Sequence, residues 1–162
     1  MSKIYFFNGW AMDQNLLSPL KNSTEYEIKV INFPYNIDKT SIDKEDIFIA
    51  YSFGVYYLNK FLSENQDLVY EKAIAINGLP ETIGKFGINE KMFNMTLETL
   101  NKENLEKFLL NMDIDESFER ADKTLEEAKY ELQYFKDNYK AIPNHINFYY
   151  IGKNDRIIPA SK

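Results

Sequence analysis

The sequence predicts an α/β fold, with a mainly parallel sheet of short strands and helices on both of its faces. Three observations carry that expectation. Short apolar runs recur along the chain, each run is closed by Gly, Asn or Pro, and several of the stretches between them carry helical spacing. Strands buried on both faces read as continuous apolar runs rather than as alternating ones. The 162 residues fit a single domain, 1–162, large enough to bury a sizeable core.

The elements follow in order. Residues 4–7 form the first run and stop at Asn8-Gly9, and residues 28–33 are β-branched and stop at Pro34. Residues 47–50 are the third run, followed by Val55, Leu58, Phe61 and Leu62 at helical spacing. Residues 73–76 end at Asn77-Gly78, and residues 146–151 end at Gly152. Right-handed crossovers and a central switch point predict the strand order 2-1-3-4-5.

Between the fourth and fifth runs, about 84–140, the texture changes and predicts a helical insertion. From Glu98 to Asp137 there are 12 acidic and 6 basic residues, which accounts for the whole formal charge of −6. Leu105, Phe108, Leu109 and Met112 lie at i, i+3, i+4 and i+7. A second set, Phe118, Ala121, Leu125, Ala128, Leu132 and Phe135, recurs at near-heptad spacing. Both patterns fit amphipathic helices with a solvated acidic face.

Composition excludes several kinds of chemistry. With no Cys there is no disulfide scaffold, thiolate zinc site or Cys nucleophile, and His145 is the only histidine. No apolar run approaches the ~18 residues of a membrane span, and residues 1–3 lead straight into a strand rather than a signal peptide. The acidic balance argues against generic nucleic-acid binding. A cytoplasmic protein without metal or organic cofactor, and with neither nucleic acid nor membrane as partner, is the expectation.

The most informative segment is Ala50-Tyr51-Ser52-Phe53-Gly54, where the third strand meets its helix. A small residue two before and two after a serine lets a helix and its neighbours close around a tight turn that lifts the hydroxyl above the strand. By itself the pattern also fits an ordinary Gly-containing β-α turn. Two other segments fall where a serine nucleophile would need them. Gly9, after the first strand, lets the Trp10 backbone N–H face a substrate carbonyl beside that of Phe53, although a lone Trp is often just a buried anchor. Asp155 follows the last strand, before Ile157-x-Pro159, where the acid of a Ser…Asp…His series belongs, although it would also serve as a turn residue beside Arg156.

These segments resemble the BioG-type pimeloyl-[acyl-carrier protein] methyl ester esterases, a compact α/β-hydrolase family of biotin synthesis. The matching stretches are IYFFNGWAMD, FIAYSFGVYYL, AIAINGLP, KFGINEKMFNMTLETL and GKNDRIIP, spread over nearly the whole chain. The resemblance implies Ser52 as nucleophile, Asp155 as triad acid and the Trp10 and Phe53 amides as oxyanion donors. It also implies a lid at residues 107–112, with Phe108, Leu109 and Met112 on the acyl channel, and an acyl-carrier protein bearing a pimeloyl methyl ester as partner. Residues 107–112 also read as one turn of a core-facing helix. An acidic carrier needs basic residues to dock on, and Lys85 with Lys91, or Arg120 with Lys123, are the available clusters.

The pattern lacks its base. In this family the histidine follows the acid, whereas here seven residues remain after Asp155 and none is His. His145 precedes the fifth strand, which predicts a place at the amino end of the sheet, away from the chemistry. The expectation is a chain cut before its final strand, helix and histidine, or else one that is inactive. Besides a pimeloyl-type esterase, a general short-acyl esterase or thioesterase and a non-catalytic hydrolase-like binding domain therefore remain open.

Overall fold

The structure is a computed structural model, and it describes residues 2–20, 22–155 and 157. Five strands, β1 (Lys3–Phe7), β2 (Glu27–Ile31), β3 (Ile47–Tyr51), β4 (Lys72–Ile76) and β5 (Phe148–Tyr150), form one sheet in the order β2-β1-β3-β4-β5. Every neighbouring pair is parallel. The parallel sheet and its strand order are those expected from the sequence. Among the described residues four α-helices accompany it: α1 (Gly54–Glu64), α2 (Glu90–Glu98), α3 (Lys102–Asn111) and α4 (Leu125–Asn138).

Register explains how the sheet packs against α1. Phe48 lies opposite Ala73 and Ala50 opposite Ala75, so a ring and three methyl groups share one face. Val55, Leu58 and Leu62 of α1 fill the space the alanines leave, with Tyr5 and Phe7 of β1 completing the cluster. A second cluster joins α2 and α4 to the loop after β1 and to the start of α1. Phe135 of α4 is its hub, with ring centroids 4.9 Å from Phe53, 5.0 Å from Tyr56 and 5.8 Å from Phe93 of α2. Aromatic pairs at such distances add to the area they bury.

Three expected boundaries move, each for a local reason. β2 ends at Ile31 rather than at residue 33, because the chain turns where Tyr35 N–H donates to the Asn32 carbonyl. β5 covers only Phe148–Tyr150, because the Asn144 side chain engages both the N–H and the C=O of Ile146 and removes them from the ladder. The near-heptad set beginning at Phe118 becomes helical only at Leu125. There Thr124 caps the helix, its hydroxyl accepting from Glu127 N–H while the Glu127 carboxylate accepts from Thr124 N–H. Upstream, the Asp115 carboxylate takes the Ser117 N–H and hydroxyl, which favours a turn. The expected turn at Pro159 lies outside the described residues.

Candidate active site

Ser52 directly follows β3, in the turn that leads into α1, and its φ is 54°. A non-glycine residue in this left-handed region costs roughly 1–2 kcal/mol, so it persists only where its surroundings hold it. Here the Ser52 N–H donates to the Ile76 carbonyl at 3.1 Å and its own carbonyl accepts from Val55 N–H at 3.1 Å. Gly54 allows the close approach: a Cβ there would sit 2.2 Å from the Phe7 carbonyl oxygen. At Gly9 a Cβ would meet the Met12 sulfur at 2.8 Å and the Ser52 Cβ at 3.4 Å, so the loop after β1 passes right beside the serine.

That loop is braced by Asn8, which is fully buried. Its Oδ1 accepts from Gly9 N–H, and its Nδ2 donates to the Asp13 carbonyl and to Asn32 Oδ1. Trp10 is buried as well: its Nε1 donates to the Ala128 carbonyl of α4 at 2.7 Å, and Phe108 packs edge-on against its ring. Phe53 is the N-cap residue of α1, where first-turn N–H groups have no partner within the helix. Among the described residues, neither the Trp10 nor the Phe53 backbone N–H has a hydrogen-bond acceptor.

A cavity of about 240 Å³ brings Ser52 together with Asp155, Tyr51, Asn77 and, from the end of α3 and just after it, Asn111, Met112 and Asp113. Asp155 is held in a short turn, its N–H donating to the Gly152 carbonyl and its Oδ1 accepting from Ile157 N–H. Asn77, at φ 47°, ties the ends of β4 and β5: its N–H donates to the Tyr150 carbonyl, and its Oδ1 accepts from Gly152 N–H at 2.7 Å. Burial pushes the Tyr51 hydroxyl up to about 12, with the nearby Asp155 and Asp113 carboxylates adding to the shift. Tyr51 is therefore a neutral hydrogen-bond donor beside two acids at neutral pH.

The three expected lid residues divide. Met112 lines the cavity with Ser52, while Phe108 backs Trp10 and Leu109 packs with Met12 and Ile114. His145 precedes the amino end of β5, and its backbone N–H donates to Asn59 Oδ1 of α1. Sequence reasoning missed Tyr51, Asn77 and Asp113 as parts of the site. The Asn77-Gly78 pair at a strand end was the available signal for Asn77; a position three residues before a β-α turn glycine gave none for Tyr51.

A crystal structure of BioG from Haemophilus influenzae matches this chain with a TM-score of 0.80 and 20% sequence identity, covering 98% of this chain and 78% of that one. The fold is that of BioG. No family model matches the sequence, and no curated protein does. Within this BioG fold, α2, α3 and α4 occupy the stretch expected as the insertion, and the cavity lies at the carboxyl ends of β3 and β4, where α/β folds place their ligands. Among the described residues no helix is long and apolar enough to cross a membrane, and no group of three acidic or histidine side chains could hold a metal ion.

Proposed function

We propose that this chain is a serine carboxylester hydrolase acting on a pimeloyl-type methyl ester carried by an acyl-carrier protein. The observation that carries the reading is Ser52, at φ 54° on a strand-to-helix turn, sharing one cavity with Asp155. Ser52 Oγ would attack the ester carbonyl, and the Trp10 and Phe53 amides would receive the charge that develops on its oxygen. Methanol leaves, and water then cleaves the acyl-enzyme. At about 240 Å³ the cavity is smaller than typical small-molecule sites, which suits the ester end of a chain rather than a whole carrier arm.

The mechanism needs a base between Ser52 and Asp155, and His145, which precedes the amino end of β5, is not among the described residues lining their cavity. Without the base a serine loses on the order of 10⁴-fold or more in turnover. That position of His145 favours a second reading, a hydrolase-like domain that binds its acyl ligand without turning it over.

Of the two basic clusters, one is engaged inside the insertion. Arg120 donates to the Ile114 carbonyl and pairs with Glu106, and Lys123 pairs with Glu131. Lys85 and Lys91 are exposed instead, as are Phe86, Met92 and Met95 beside them in the sequence. That exposed stretch is the one an acidic carrier would use. The test is competition between a carrier-linked methyl ester and a free short-chain ester, read as methanol release. Preference for the carrier-linked substrate supports the pimeloyl reading; equal use of both supports a general short-acyl esterase. Binding of the carrier without release supports the non-catalytic domain.

A further inference from the structure

We propose that Glu131, on helix α4 of the insertion, is a positioning residue that sets the oxyanion loop; the proposal rests on the reading of Trp10 as an oxyanion donor. Two hydrogen bonds join the loop to α4. Trp10 Nε1 donates to the Ala128 carbonyl at 2.7 Å, and Ala11 N–H donates to Glu131 Oε2 at 3.0 Å. Residues 128 and 131 are three apart, on one face of the helix, so a single helical face grips two consecutive loop residues. Ala11 itself has a φ of 58°, a conformation alanine does not choose unaided.

The chemistry of Glu131 points the same way. It is 6% exposed and lies on a face otherwise made of Ala128, Leu132 and Phe135, which pack into the apolar cluster around Trp10. A carboxylate buried there is costly, and an apolar side chain would fill the space as well. What the carboxylate adds is an acceptor for Ala11 N–H, with its other oxygen paired to the ammonium of Lys123. The peptide that follows Trp10 is thereby held by the insertion rather than by the sheet. The Trp10 N–H keeps its aim only while α4 is docked, and a misplacement of about 1 Å can cost on the order of 100-fold in rate.

The test compares the parent chain with Glu131→Gln, which keeps an acceptor, and with the paired Lys123→Met/Glu131→Met variant. The paired variant removes both charges at nearly constant volume, so that neither is left orphaned. Two readouts are taken: hydrogen exchange at the Ala11 amide, and Ser52-dependent turnover of a p-nitrophenyl ester with added imidazole as base. The proposal expects the paired variant to exchange Ala11 at least ten times faster and to lose about 10- to 100-fold in kcat with KM within twofold. Glu131→Gln should restore most of both. Unchanged exchange and unchanged kcat in the paired variant would overturn the proposal, and so would a rise in KM alone. Absence of any Ser52-dependent turnover in the parent chain would remove the functional reading and this role with it, while the exchange data would still report the grip on Ala11.

Discussion

The Cβ position of Gly54 lies 2.2 Å from the carbonyl oxygen of Phe7 and 2.6 Å from that of Asn8. The start of α1 therefore sits directly on the end of β1, and this contact brings the Ser52 turn against the loop that carries Trp10. Backbone atoms leave a side chain no room to turn aside. Gly54→Val should cost about 3 kcal/mol or more, lowering the melting midpoint by roughly 6–12 °C in a chain of this size. Thermal unfolding by circular dichroism checks this, and an unchanged midpoint would mean the contact is loose.

The strain at Ser52 predicts the opposite sign for a neighbouring change. Glycine adopts a φ of 54° freely but loses more entropy on folding than serine, so Ser52→Gly should gain on the order of 1 kcal/mol net. The midpoint should rise by about 2–4 °C while any esterase activity disappears. A lower midpoint would show that the serine side chain stabilises the turn by more than its backbone costs.

The strand order was legible in the sequence because continuous apolar runs closed by Asn-Gly or Pro leave few topologies once crossovers are right-handed. So was the tight turn at Ser52, since Ala50, Ser52 and Gly54 lie within five residues and their spacing is itself the signal. The remainder of the site depends on convergence across the chain. Tyr51 and Asp113 meet at one cavity, and Ala11 meets Glu131 across 120 positions, which no local pattern encodes. Periodicity also ran too far at residues 118–124, where the turn at Asp115 and the cap at Thr124 hold their own backbone hydrogen bonds and outweigh apolar spacing. For Phe108 and Leu109, helical spacing marked an apolar face without saying that it would pack on Trp10 and Met12.

Asp46 predicts an acid limb in the stability curve. Burial works against its charge, but the Asp43 and Lys3 backbone N–H donors and the Lys3 ammonium outweigh burial and hold the carboxyl below its usual range. With the folded value depressed, the unfolded chain binds the proton more readily as pH falls. The stabilisation is thus complete above the ordinary value near 4 and is lost as pH drops through the lower folded value. Melting between about pH 5 and pH 3 should show this loss in the parent chain. Asp46→Asn should start less stable and lose less over the same range; equal slopes would exclude Asp46 as a cause.

Reversing the exposed basic stretch should separate carrier docking from chemistry. Lys85→Glu with Lys91→Glu should raise KM for a carrier-linked ester about tenfold and leave a free short ester within twofold, because the stretch lies outside the Ser52 cavity. Steady-state kinetics on both substrates checks it. An equal change on the two substrates would place the effect in the fold rather than in docking.

The most direct test of the central claim, that Ser52 is an ester-cleaving nucleophile awaiting a base beside Asp155, is imidazole-dependent release of p-nitrophenol from a short p-nitrophenyl ester. Imidazole in solution supplies a ring that the described lining of the Ser52 cavity does not contain. Release by the parent chain should rise with imidazole well above the solution rate and saturate with ester, while Ser52→Ala should follow the solution rate alone. Identical release by the parent chain and Ser52→Ala at every imidazole concentration would contradict the account.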